Sequence, residues 1–121
     1  MSHNRAIGRI GETEAINYLH SKGYHVVEQN FYTHWGEIDI IAKKDKKLSF
    51  IEVKTRTGQN KGKPYDSVTS TKIKHLMRPI RLYLLQNNYK DYKLSLDVIS
   101  ILLKEDLSID KINHYENIYG Y

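Results

Sequence analysis

The stretch "GEIDIIAKKDKKLSFIEVKTRT", residues 36 to 57, constrains the fold most, because it sets Asp39 and Glu52 inside isoleucine, valine and phenylalanine runs that read as buried strands. Residues 48 to 56 alternate, with Ile51 and Val53 on one side and Phe50, Glu52 and Lys54 on the other. Lys43 to Lys47 reads as a charged hairpin turn, and a turn centred between Asp45 and Lys46 makes paired positions sum to 91. That register puts Asp39 opposite Glu52, with Lys54 on the same face. Directly opposed Cβ atoms lie ~4.5–5.5 Å apart, and like charges placed so destabilise a sheet unless a proton or a cation intervenes.

Arg5 to Lys22 reads as a helix that buries Ala15, Ile16 and Leu19 and stops at Gly23. Glu12 lies three, four and seven residues before those apolar positions, so its carboxylate belongs to the buried face. Residues 24–33 read as a strand, and 57–68, "TGQNKGKPYDSV", as a mobile loop. Beyond Thr71, Ile73, Leu76, Met77, Ile80 and Leu84 share one helical face, and Pro79 is expected to bend or split that helix. Residues 93–103 read as a further strand, and "HYENIYGY" as a short terminal one. The expected architecture is α/β: an αβββαβ core in one domain, 1–121, with a mixed central sheet flanked by helices.

Charge is unevenly placed: residues 43 to 81 hold 12 basic and 3 acidic side chains, a local +9, leaving −4 for the rest of a chain whose net charge is +5. Such a segment favours a nucleic-acid partner through phosphate attraction and counterion release. Within it Arg56, Lys61 and Lys63 are the expected nucleic-acid contacts. The absence of cysteine excludes disulfides, thiolate zinc sites and cysteine nucleophiles. The polar start and the lack of a run near ~20 apolar residues give the expectation of a soluble cytoplasmic protein with no membrane partner. No HExxH or G-x-S-x-G pattern supports zinc-protease or serine-hydrolase chemistry, and "GQNKGKP" fails the phosphate-loop spacing.

Two opposed acids are the ligand set that a hard ion such as Mg²⁺ uses while keeping waters for a substrate phosphate. Lys54 beside them can offset the acids and contact a scissile phosphate, as metal-assisted phosphodiester cleavage requires. These motifs resemble the PD-(D/E)XK nuclease superfamily, whose signature is an acid on one strand and D/E-X-K on the next. Within it the chain is similar to the bacterial YraN family of endonuclease-like proteins, through "GETEAINYL", "GYHVVEQNF", "GEIDIIA", "IEVKTR", "LDVIS" and "INHYENIYGY".

The resemblance implies a restriction-endonuclease-like fold and a Mg²⁺- or Mn²⁺-dependent endonuclease acting on DNA at branched or repair intermediates. By position it makes Asp39 and Glu52 metal ligands, adds the Val53 carbonyl as a further one, and gives Lys54 the attacking water. Glu12 matches the first-helix acid that completes the site in similar archaeal Holliday junction resolvases, and Lys72 becomes a phosphate contact. Resolvase-like chemistry would need two active sites, hence a homodimer. Ser95 and Leu96 stand where the family usually has an arginine, and Tyr32 and Thr33 where basic residues are usual. The alternative is an inactive nucleic-acid-binding or partner-recruiting module on a nuclease fold.

Overall fold

In the computed structural model, residues 3–58 and 70–118 are described. Two apolar surfaces, one on each face of a single sheet, organise them. The elements run α1 (His3–Ser21), β1 (His25–Thr33), β2 (Gly36–Lys44), β3 (Lys47–Thr57), α2 (Ser70–Gln86), β4 (Lys93–Leu103) and β5 (Ile109–Tyr115). The strands lie side by side in chain order; β3 and β4 are parallel and every other neighbouring pair is antiparallel. A parallel step cannot be closed by a tight turn, and α2 lies on the crossover that supplies it.

On one face α1 buries Ile7, Ala15 and Leu19 against Ile40, Ala42, Ile51, Ile99, Ile101 and Leu103. On the other, α2 buries Ile73, Leu76, Ile80 and Tyr83 against Ile38, Ile41, Leu48, Phe50 and Leu96. The helical period of 3.6 and the strand period of 2 thus meet on both sides of a mixed sheet. Helix α1 ends as its sequence dictates. Gly23 takes φ +88°, its N–H donates to the His20 carbonyl at 3.1 Å, and the Tyr24 N–H reaches back to Leu19 at 2.9 Å. That pair of bonds is a Schellman cap, and Tyr24 and Leu19 supply its usual apolar contact.

Three expectations need adjustment. The terminal strand begins at Ile109, five residues before "HYENIYGY", because a half-wet edge strand shows little apolar alternation; Ile112 packs toward α1 while Ile109 stays 37% exposed. Helix α2 runs unbroken through the buried Pro79, so the proline does not split it; six apolar or partly apolar positions, Ile73, Leu76, Met77, Ile80, Tyr83 and Leu84, held against the sheet outweigh one lost backbone bond. Strand β3 extends to Thr57, and the loop expected over 57–68 lies, from residue 59 on, outside the described residues.

Candidate active site

The β2–β3 hairpin has the expected register. Lys44 pairs with Lys47 and Ile40 with Ile51, each pair summing to 91, and there the ladder stops. The next rung would be Asp39 with Glu52. Instead, Asp39 Oδ2 accepts the Val53 N–H at 2.8 Å, so a side chain takes the place of a strand's backbone. The reason lies in β2 itself. Ile40 and Ala42 face α1, whereas Ile38 and Ile41, an odd number of residues apart, both face α2. Strict alternation therefore breaks at Asp39 and turns its carboxylate toward the gap between strands. On β1 the residue facing it, Asn30, sits at φ +50°, and no rung joins the two.

A residue's N–H and C=O point to the same side of a strand, so the Val53 carbonyl faces this gap together with the N–H held by Asp39. Glu52 projects at its rim, 11% exposed, with Lys54 Nζ 3.5 Å from its Oε1. From the helix side, Glu12 lines a cleft of about 540 Å³ with Arg5, Arg9, Asn30, Tyr32 and Glu37. At the neighbouring Gly11 an added Cβ would collide with the Thr55 hydroxyl, so α1 rides directly on β3.

The electrostatics are those of a site short of positive charge. Burial, then the negative charge of Glu52, push the Asp39 carboxyl up to about 8, against the downward pull of the Val53 N–H; Glu12 and Glu37 add to the rise. Burial also raises Glu12, helped by Glu37 and Glu52 and opposed by a hydrogen bond with Asn30. Four carboxylates therefore act on one small volume.

Of the residues expected from sequence, Glu12, Asp39, Glu52, Val53 and Lys54 are gathered around this fork. Arg56 is half-buried two residues along β3. Lys61 and Lys63 lie outside the described residues, and Lys72 lies in the first turn of α2 with its side chain undescribed. Sequence reasoning did not single out Lys74, Arg78 and Arg81, exposed residues of α2 whose four- and three-residue spacing makes one stripe.

The model of the uncharacterised protein family UPF0102 matches residues 11–101. The chain belongs to that family. A UPF0102 protein of Syntrophomonas wolfei is 41% identical over 116 residues, covering 96% of this chain and 99% of the relative. Those of Alkaliphilus oremlandii (42% over 118 residues, 96% and 99% covered) and Thermodesulfovibrio yellowstonii (43% over 113 residues, 93% and 95% covered) are similar to the same extent.

This UPF0102 chain holds a second acidic cluster that sequence reasoning missed. Asp97, fully buried on β4, accepts from Ser95 Oγ at 2.6 Å and the Asn117 N–H at 3.0 Å, and its Oδ2 meets His114 Nε2 at 2.7 Å. Ser95 thus completes a carboxylate's hydrogen bonds. Glu116 alongside is paired with Lys47 at 2.7 Å and reached by the Tyr24 hydroxyl at 3.2 Å. Among the described residues, Asp97, His114 and Glu116 are the group of three whose ligand atoms lie within 4.8 Å of one another; Glu12, Asp39 and Glu52 do not close to that distance. Yet every oxygen of Asp97 is already engaged, and the cluster's work in this UPF0102 fold is to fasten the chain after β5 onto β4. Among the described residues, no helix is long and apolar enough to cross a membrane.

Proposed function

We propose that this protein is a Mg²⁺- or Mn²⁺-dependent endonuclease-like enzyme that hydrolyses DNA phosphodiester bonds on a restriction-endonuclease-like αβββαβ core. The observation that carries this is the fork beyond the Ile40–Ile51 rung, where Asp39, Glu52 and the Val53 carbonyl surround one gap and Lys54 stands at its edge. The donor set suits a hard cation: oxygen ligands only, with an Asp39 carboxyl that burial first, and then the charge of Glu52, raise to about 8. Asp39, Glu52 and Val53 would hold the ion, with Glu12 completing the site from α1. When bound, such an ion makes a coordinated water more acidic and stabilises charge developing on the phosphate.

The chain's own groups do the rest. Lys54, held near Glu52, orients the attacking water and offsets charge on the phosphate. The Val53 N–H fixes the Asp39 carboxylate so that one of its oxygens keeps a constant aim. Lys74, Arg78 and Arg81 on α2 meet the DNA backbone, in keeping with the charge concentrated between residues 43 and 81.

Purified protein incubated with single-stranded, duplex, flap and four-way DNA should cut at least one of them with Mn²⁺ and none with a chelator. Asp39→Asn and Lys54→Ala should each lower the rate by ~10²-fold or more while folding persists. If all four substrates stay intact, the enzymatic reading fails. Salt-sensitive, metal-independent binding left unchanged by Asp39→Asn would then favour a nucleic-acid-binding module without turnover.

A further inference from the structure

The β1–β2 hairpin closes through the two residues His34 and Trp35 between the paired Thr33 and Gly36. Two-residue hairpin loops favour Asn-Gly, Asp-Gly or Gly-containing pairs, because these adopt the required backbone angles at least cost. Here the unusual angle falls on Gly36, at φ +148°, and neither His34 nor Trp35 takes a positive φ, so nothing in the turn's backbone calls for these two side chains. The loop is nonetheless firmly built: Thr33 Oγ1 donates to the Gly36 carbonyl at 2.8 Å and accepts the Trp35 N–H at 3.1 Å.

Trp35 is 47% exposed, and Tyr32, on the same hairpin, 75% exposed; both are among the few large apolar side chains left in solvent. One cation stands beside Trp35. The Arg78 guanidinium, part of the α2 stripe, lies 5.9 Å from the Trp35 ring centre. Tyr32 lines the cleft that contains Glu12, and Trp35 precedes Asp39 by four residues, ~13 Å of extended strand. That distance corresponds to a few nucleotides at the ~3.4 Å rise of a stacked strand.

A rigid, exposed aromatic beside an arginine and a phosphate-directed site is the combination that binds unpaired bases: the ring stacks on a base face and the cation takes the adjoining phosphate. We infer that Trp35 is a base-stacking platform that selects nucleic-acid strands with unpaired bases next to the bond to be cut. The inference rests on the nuclease reading for the role of the neighbouring acids. The stacking itself requires only that a strand binds. A base inside an intact duplex offers no free face, so the platform gives duplex DNA no advantage.

Trp35 is the protein's one tryptophan, so its emission reports directly on the contact. The test titrates full-length protein, without divalent metal, with a 20-nucleotide oligothymidylate, a gapped duplex and a blunt duplex. Quenching should be strong with the first two and weak with the third. Measured by anisotropy of labelled DNA, Trp35→Ala should lose roughly 5- to 100-fold in affinity for the unpaired strands, Trp35→Phe should keep most of it, and duplex affinity should not move. Equal quenching by all three DNAs, or equal losses for duplex and unpaired strands, would overturn the platform. If the protein binds or cuts DNA without quenching and Trp35→Ala changes nothing, the platform falls and the nuclease reading stands. If no DNA binds at all, both fall. Cleavage lost in Asp39→Asn with quenching intact keeps the two roles separate and supports the platform.

Discussion

Asp39 and Asp97 are strand aspartates in the same sheet, separated by β3, and both are largely withdrawn from water. Burial pushes each carboxyl upward, but the outcomes are opposite. Asp97 ends below its usual range because His114, the Asn117 N–H and Ser95 more than offset burial. Asp39 has the Val53 N–H to set against Glu52, Glu12 and Glu37, and it rises to about 8. The difference teaches that burial alone does not mark a functional acid. A carboxylate with its hydrogen-bond sites filled stays ionised and holds the fold together, whereas one left among like charges keeps its proton, in the place where the proposed cation would compete for the same oxygens.

The largest test of this contrast is Asp97→Ala. It strands the Ser95, His114 and Asn117 donors in the core and should cost about 3–5 kcal/mol in urea unfolding. A loss below about 1 kcal/mol would mean that the cluster is not a fastening at all.

Next comes Asp39→Asn, with the opposite sign. Between about pH 4 and pH 8 the native protein keeps on Asp39 a proton that the unfolded chain has released, so stability falls as pH rises through that window and levels off above it. The asparagine variant should lack this slope and, without metal, be more stable than the parent at pH 8 by ~1–3 kcal/mol. Mn²⁺ should stabilise the parent more at pH 8.5 than at pH 6, since ion and proton compete for the same oxygens. Asp97 contributes in the reverse sense: its stabilisation is present at neutral pH and is lost as pH falls below the ordinary value of 3.8. A parent melting curve that is flat from pH 5 to pH 8 would remove the distinction.

The smallest effect belongs to Glu116→Gln. Its bond to Lys47 is 2.7 Å long, but the carboxylate is 53% exposed, so the change should cost about 0–1 kcal/mol. A larger loss would move Glu116 from the periphery of the Asp97 cluster to its centre.

The hairpin register was legible because turn chemistry and a period of two both act over neighbouring residues, and they set Asp39 toward Glu52. The in-plane turn of Asp39 was not, since it depends on a break in alternation visible only once Ile38 and Ile41 are seen on one side. Asp97 escaped notice for a related reason: its partners His114 and Asn117 come from 17 and 20 residues away. Its placement in a strand looked like Asp39's, and only the partner inventory separates them. Trp35 carried a signal of another kind, a large aromatic ring on the two-residue turn between β1 and β2, where no core is at hand to bury it.

Gly11 gives the α1–β3 contact a further meaning. With hydrogen in place of a methyl group, the helix settles onto Thr55, and the adjacent residue, Glu12, is carried down with it. The absent carbon acts as a shim of fixed thickness: the height of an entire helix above the sheet, and with it the reach of one carboxylate toward Asp39, is gauged by a residue that bears no functional group of its own.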